Sequence, residues 1–152
     1  MHFGRSMERR IKILIDTNIL VDYLQLERKG HALAWDIFQM VFDHLIEATI
    51  STQSFLDAVY VCARNSANDA SVVRDSLLYI SNRTNVYPID AFDLESALKN
   101  ANPDIDDNAQ ISFAYSHGCD ILVTRDKKFL SREVPRPMQV MTPEDFVNAC
   151  RA

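Results

Sequence analysis

With three glycines in 152 residues, the chain has too few to build the glycine-rich loop that cradles a nucleotide phosphate. Its three cysteines, Cys62, Cys119 and Cys150, are odd in number and show no Cys-x-x-Cys spacing, which argues against both a disulfide framework and a thiolate zinc site. No Ser-His-Asp arrangement is visible, so a serine nucleophile is not indicated. No apolar run approaches the roughly 18 residues that a membrane helix needs. The residues before Ile11 include Arg5, Arg9 and Arg10 but no hydrophobic stretch of the signal-peptide kind. These absences together lead to the expectation of a protein of the reducing cytoplasm, away from the membrane. Positive charge is also scarce overall: the net charge is −5 at pH 7, which taken alone speaks against a polyanionic partner.

What is present fits one folded domain. Hydrophobic residues make up 47% and charged residues 24%, and a chain of this length can bury a sizeable core unaided. Residues 1–10 are expected to be a flexible basic start, with a single domain over 11–150. The domain is organised around Ile11 to Asn18, Ile-Lys-Ile-Leu-Ile-Asp-Thr-Asn. A nearly continuous aliphatic run ending in a carboxylate reads as a buried parallel strand that delivers Asp16 to its carboxyl end. In open α/β sheets that edge is where ligands bind.

Further along, Leu20, Val21 and Leu24 suit a helix over about 19–26, with Gly30 as its C-terminal cap. Apolar positions from Leu33 to Ile46 recur at helical spacing over 31–47. His31, His44 and Trp35 on or near that helix have no partner at metal-site spacing, so they read as surface or core-edge residues. Ala48 to Ser51 is a second strand, followed by a helix on which Phe55, Leu56, Val59 and Tyr60 are apolar and Asp57 stands near the sheet's carboxyl edge. A polar stretch over 64–71 leads to a helix through Val72 to Ile80. Asn85 to Ile89 reads as a third strand broken by Pro88, and 90–100 as a helix. Asp104-Ile105-Asp106-Asp107 then opens a helix that Gly118 stops near His117. Cys119 to Thr124 is a fourth strand ending in Thr124-Arg125-Asp126, Met138 to Met141 a last one, and Thr142-Pro143-Glu144-Asp145 a capped helix start.

The chemistry lies in the distribution of carboxylates. Asp16 and Asp126 each follow an aliphatic run, so a parallel sheet brings them to one edge. The helix macrodipole favours acids in a first turn, but it does not require three of them, and the repulsion within Asp104, Asp106 and Asp107 is what a divalent cation relieves. Arg125, Lys127, Lys128, Arg132 and Arg136 follow as a basic stretch. An acidic pocket beside a basic rim suits metal-dependent chemistry on a polyanion.

These motifs, in this order over about 11–147, resemble the PIN domain family of VapC-type toxins. The resemblance implies a three-layer α/β/α fold with a mostly parallel sheet, and an endoribonuclease that uses Mg²⁺ or Mn²⁺. Position by position, Asp16, Asp107 and Asp126 match acids that hold metal. Asp57 matches a further catalytic acid, where the family often has Glu. Asp104 is the auxiliary acid suggested by its spacing of three residues from Asp107. Thr17, Asn18 and Thr124 are expected to orient the acids by hydrogen bonds, and Arg125, Lys127 and Lys128 to bind RNA phosphates. The resemblance further implies a homodimer and an antitoxin partner. A catalytically degenerate PIN domain that only binds RNA or protein is the alternative reading. A haloacid-dehalogenase-like phosphatase needs an acid two residues after Asp16, where Asn18 stands, and a receiver-type phosphoacceptor needs a late-strand Lys, for which Lys127 is a poor substitute.

Overall fold

The aliphatic run after Ile11 forms the central strand β1 (Lys12–Ile15) of the computed structural model, which describes residues 9–65 and 69–152. Ile13 and Ile15 enter one core cluster and Leu14 another, so the strand is covered on both faces and lacks polar alternation for that reason. Helices α1 (Thr17–Leu24) and α2 (His31–Phe42) lead to β2 (Glu47–Ser51), and α3 (Thr52–Ala63) and α4 (Ala70–Ser81) lead to β3 (Asn85–Tyr87). Then come α5 (Ala91–Lys99), α6 (Ile105–Ser116), β4 (Ile121–Val123), α7 (Lys127–Leu130), β5 (Gln139–Met141) and α8 (Pro143–Arg151). The strand order is β3-β2-β1-β4-β5, and every pairing is parallel.

On the Ile13/Ile15 face, the core takes Leu20, Phe38, Ala58, Ile80 and Phe146 from α1, α2, α3, α4 and α8. On the Leu14 face, Phe113 and Ala114 of α6 pack with Leu122 and Phe129, and α5 lies against α6. The architecture is therefore the three-layer α/β/α sandwich expected from the sequence, with a wholly parallel sheet.

Several boundaries move for physical reasons. β3 stops at Tyr87, ahead of Pro88, which has no N–H to offer a ladder. Helix α2 ends at Phe42 because the chain turns at His44, whose φ is 61°. Gly118, with φ 69°, stops α6 as anticipated. Gly30 does not cap α1, which ends at Leu24 with Gln25 as its cap; it precedes α2 at an ordinary φ of −81°. A side chain is excluded there by space, since a Cβ on Gly30 would lie 2.1 Å from Oδ2 of Asp22.

Of the segment expected to be flexible, residues 1–8 lie outside the described residues. Arg9 and Arg10 are tied down: Arg9 donates to both carboxylate oxygens of Asp120 at 2.9 and 2.8 Å, and Arg10 pairs with Glu47 at 3.3 Å. Asp120 also accepts from the Lys12 amide. The entrance to β1 is thereby fixed to its neighbours on both sides.

Candidate acidic site at the carboxyl edge of the sheet

From β1 the chain moves outward through β2 to β3, then restarts beside β1 at β4. The crevice beyond the ends of β1 and β4 is thus the switch point at which open α/β sheets bind ligands. Asp16 leaves β1 with extended backbone and caps α1, its Oδ1 accepting from the Thr17 amide at 2.8 Å. Its Oδ2 accepts from the Thr124 hydroxyl at 2.9 Å. That hydroxyl oxygen accepts in turn from the Asp126 amide at 3.0 Å, so one buried threonine fixes both acids. Thr17 donates to Ser54 at 2.9 Å and fastens the crevice to α3. Asn18 is exposed, and its side chain has no hydrogen-bond partner among the described residues.

Helix α6 supplies the remaining acids. Asp104 is its N-cap and accepts from the Asp107 amide at 3.0 Å, while Asp107 itself is buried. Burial, then the charge and hydrogen bond of Asp104 and the charge of Asp126, push the Asp107 carboxyl up to about 7, against a lowering influence of Arg132. Burial is also the largest cause of the rise at Asp16; Thr124 and Thr17 oppose it, and the charges of Asp106 and Asp126 add to it. Asp106 is raised by burial and by the charges of Asp104 and Asp57. Charges from β1, α3, α6 and the β4–α7 loop therefore act on one another across one crevice.

The arrangement departs from the sequence reading at three side chains. Asp106 is the α6 acid whose charge reaches Asp16, while Asp104 caps α6 and acts on Asp107. Asp57 is exposed, and its Oδ1 accepts from Gln53 at 2.8 Å, although its charge is felt at Asp106. Arg125, expected on the RNA-binding rim, turns to the buried Asp22, to which its Nε and Nη2 donate at 2.6 and 3.0 Å. Lys127 and Lys128 are exposed, and their ammonium groups have no partner among the described residues.

Arg132 has a closer place in the site than the basic stretch suggested. Its Nη2 donates to Asn108 Oδ1 at 2.5 Å, and its Nη1 is buried without a hydrogen bond, 4.0 Å from Asp107 Oδ2. The only signal for it in the sequence was its membership of that stretch.

The all-carboxylate donor set is the kind that hard divalent cations take, and its crowding is what such a cation relieves. Among the described residues no three His, Cys, Asp or Glu side chains are gathered closely enough to hold an ion by themselves. Mg²⁺ characteristically retains several waters and needs only one or two carboxylates directly, so the residues fit such a group in kind.

A parallel α/β/α sheet whose switch point collects acids from separate segments defines the class of protein. Within it, residues 12–128 match the PIN domain family, and the chain belongs to that family. It is 22% identical over 141 residues to ribonuclease VapC1 of Aquifex aeolicus, covering 89% of this chain and 92% of that one. VapC20 of Mycobacterium tuberculosis, a sarcin-ricin loop cleaving toxin, has a similar structure with a TM-score of 0.63 at 14% identity, covering 83% of this chain and 98% of the other. VapBC2 of Rickettsia felis, solved bound to a promoter DNA fragment, aligns with a TM-score of 0.60 at 13% identity over 87% and 98%.

Proposed function

We propose that this PIN domain is a divalent-cation-dependent endoribonuclease of the cytoplasm, acting as the toxin of a toxin-antitoxin pair. The observation that supports the reading best is that the charge of Asp126 is felt at both Asp16 and Asp107 beside the switch point, with both of those carboxyls raised. The ribonuclease and toxin named among its relatives support it. Asp16, Asp107 and Asp126 would hold Mg²⁺ or Mn²⁺, with Asp106 and Asp57 adding negative charge at the rim. Bound there, the cation supplies Lewis acidity at the scissile phosphodiester. Thr124 keeps Asp16 aimed and Thr17 anchors the start of α1, while Lys127 and Lys128 receive neighbouring phosphates of the RNA backbone.

Purified protein should cleave RNA in Mn²⁺ or Mg²⁺ and stop on addition of EDTA; cleavage that persists in EDTA overturns the mechanism. Replacing both Lys127 and Lys128 by Ala should weaken RNA binding and reduce the slope of log affinity against log salt by roughly one unit for each lost phosphate contact. An unchanged slope would remove these lysines from the RNA path.

The exposure of Asp57 and its bond to Gln53 favour one second reading, a degenerate domain that binds without cutting. Binding of RNA together with no Mn²⁺ heat in calorimetry would select it. For the antitoxin, the surface that fits is the apolar groove of about 620 Å³ between α3 and α4, lined by Phe55, Leu56, Val59, Leu77 and Leu78. Pairing of two copies is supported by Phe92, Leu94 and Leu98, which α5 leaves exposed.

A further inference from the structure

We infer that Asp22 is a positioning residue for the acidic site, acting through Arg125 to hold the segment that carries Thr124 and Asp126. The inference rests on the site assignment above and concerns how that site is kept in shape.

Asp22 lies on α1 and is 1% exposed. Its carboxylate accepts three N–H groups: Arg125 Nε on Oδ2 at 2.6 Å, Arg125 Nη2 on Oδ1 at 3.0 Å, and Arg28 Nε on Oδ1 at 2.7 Å. Its backbone carbonyl stands 2.9 Å from Nδ1 of His31. Gly30 closes in behind the carboxylate, with no room for even a Cβ. The group is therefore fixed on every side that the structure describes.

Its location gives the arrangement a purpose. Helix α1 starts at Asp16, so the element that carries Asp22 also sets the first acid. Arg125 sits between Thr124, which donates to Asp16, and Asp126, whose amide donates to Thr124. Sheet pairing ends at Val123 opposite Ile15, and the Thr124 amide makes the last bond toward β5. Beyond that point the loop is tied to α1 at two places, at its start by the Thr124 hydroxyl on Asp16 and near its end by the side-chain fork of Arg125 on Asp22. A planar guanidinium bound through two nitrogens fixes orientation as well as distance, which a lysine would not do. Burying a carboxylate with cations seldom adds net stability over an apolar filling, so geometry is the better account of why the pair is there. Both acids are thus referred to one rigid point.

The test uses Arg125→Met, which keeps the aliphatic stem and leaves Asp22 paired to Arg28, alongside Asp22→Asn and Arg125→Lys. Two readouts do not depend on turnover: hydrogen exchange at the amides of residues 124–128, and Mn²⁺ affinity by calorimetry. Arg125→Met should fold, speed exchange in that segment at least tenfold, and weaken Mn²⁺ binding by about 10-fold, the lower end of the range for groups that orient metal ligands. Asp22→Asn should do the same, the double variant should be no worse than either single one, and Arg125→Lys should recover part of the loss. Folded Arg125→Met with wild-type exchange and Mn²⁺ affinity within twofold overturns the inference. If wild type binds Mn²⁺ but never cleaves RNA, the ribonuclease reading fails, while the positioning role is still decided by affinity. If wild type binds no Mn²⁺, exchange at 124–128 decides it.

Discussion

Asp107→Asn should abolish RNA cleavage and, in metal-free buffer at pH 8, should leave the protein more stable than wild type. The two halves of this result have one cause. Asp107 is buried beside Asp104 and Asp126, and its carboxyl is pushed up to about 7 from an ordinary value of about 3.9. Because the folded pKa is the higher one, ionisation opposes folding. The penalty is absent below about pH 4, grows between about pH 4 and 7, and is complete above that. A rise of about three units sets an upper limit near 4 kcal/mol, and sharing with the neighbouring acids brings the expected gain from Asn to roughly 2 kcal/mol. Urea unfolding in EDTA should show the variant gaining on wild type between pH 5 and 8, while Mn²⁺ should stabilise wild type and do little for the variant. Wild-type cleavage by the variant would remove Asp107 from the site. Equal stabilities at pH 8 would show that its charge is not confined there.

The acids at strand ends were legible because their placement is a local matter. An aliphatic run long enough to cross a sheet, followed within three residues by a carboxylate, puts Asp16 and Asp126 at the same edge whenever the strands are parallel. Helix spacing alone could not choose between Asp104 and Asp106, since which side of the first turn of α6 faces the crevice depends on how that helix packs on β1 and β4. Capping fixes Asp104 at the Asp107 amide, where its charge acts on Asp107 and Asp106, and the α6 charge that reaches Asp16 is that of Asp106. The part that was not legible is long-range. Arg125 and Asp22 are 103 residues apart in the chain, and an aspartate between Val21 and Tyr23 gives no hint that it will be among the most buried residues of the fold. Five like-looking cations at 125–136 likewise conceal that Arg125 pairs with a buried carboxylate and Arg132 turns inward while Lys127 and Lys128 stay in water. The exposure of Asp57 has the same origin, for the sequence shows its turn on α3 but not the Gln53 amide that holds its Oδ1.

Gly30→Ala should destabilise the protein by about 1–3 kcal/mol, the usual range for overpacking, and the cost should disappear when Asp22 is also replaced by Ala. The backbone at Gly30 has a φ of −81°, a conformation open to any L-residue, and a position leading into a helix would ordinarily gain up to about 1 kcal/mol from Ala through a less disordered unfolded chain. Gly30 is also the N-cap of α2, where Ala is less favourable than Gly, so the part of the loss that comes from space is the part that depends on Asp22. The new methyl would meet Asp22 Oδ2 at 2.1 Å and Cγ at 2.7 Å, with Arg125 Nε at 3.3 Å. The carboxylate cannot swing away without releasing three N–H donors. Removing it by Asp22→Ala costs stability in its own right, because two guanidinium groups lose their partner, but it opens the volume the methyl needs. Midpoints of urea unfolding for wild type, both single variants and the double variant close the cycle, and the coupling between the two sites should equal or exceed the Gly30→Ala cost itself. A penalty of the same size in both backgrounds would show that Gly30 is required for something other than the approach of Asp22. A gain from Ala in the Asp22→Ala background, against a loss in wild type, would show that this glycine stands there only to let a buried carboxylate reach Arg125.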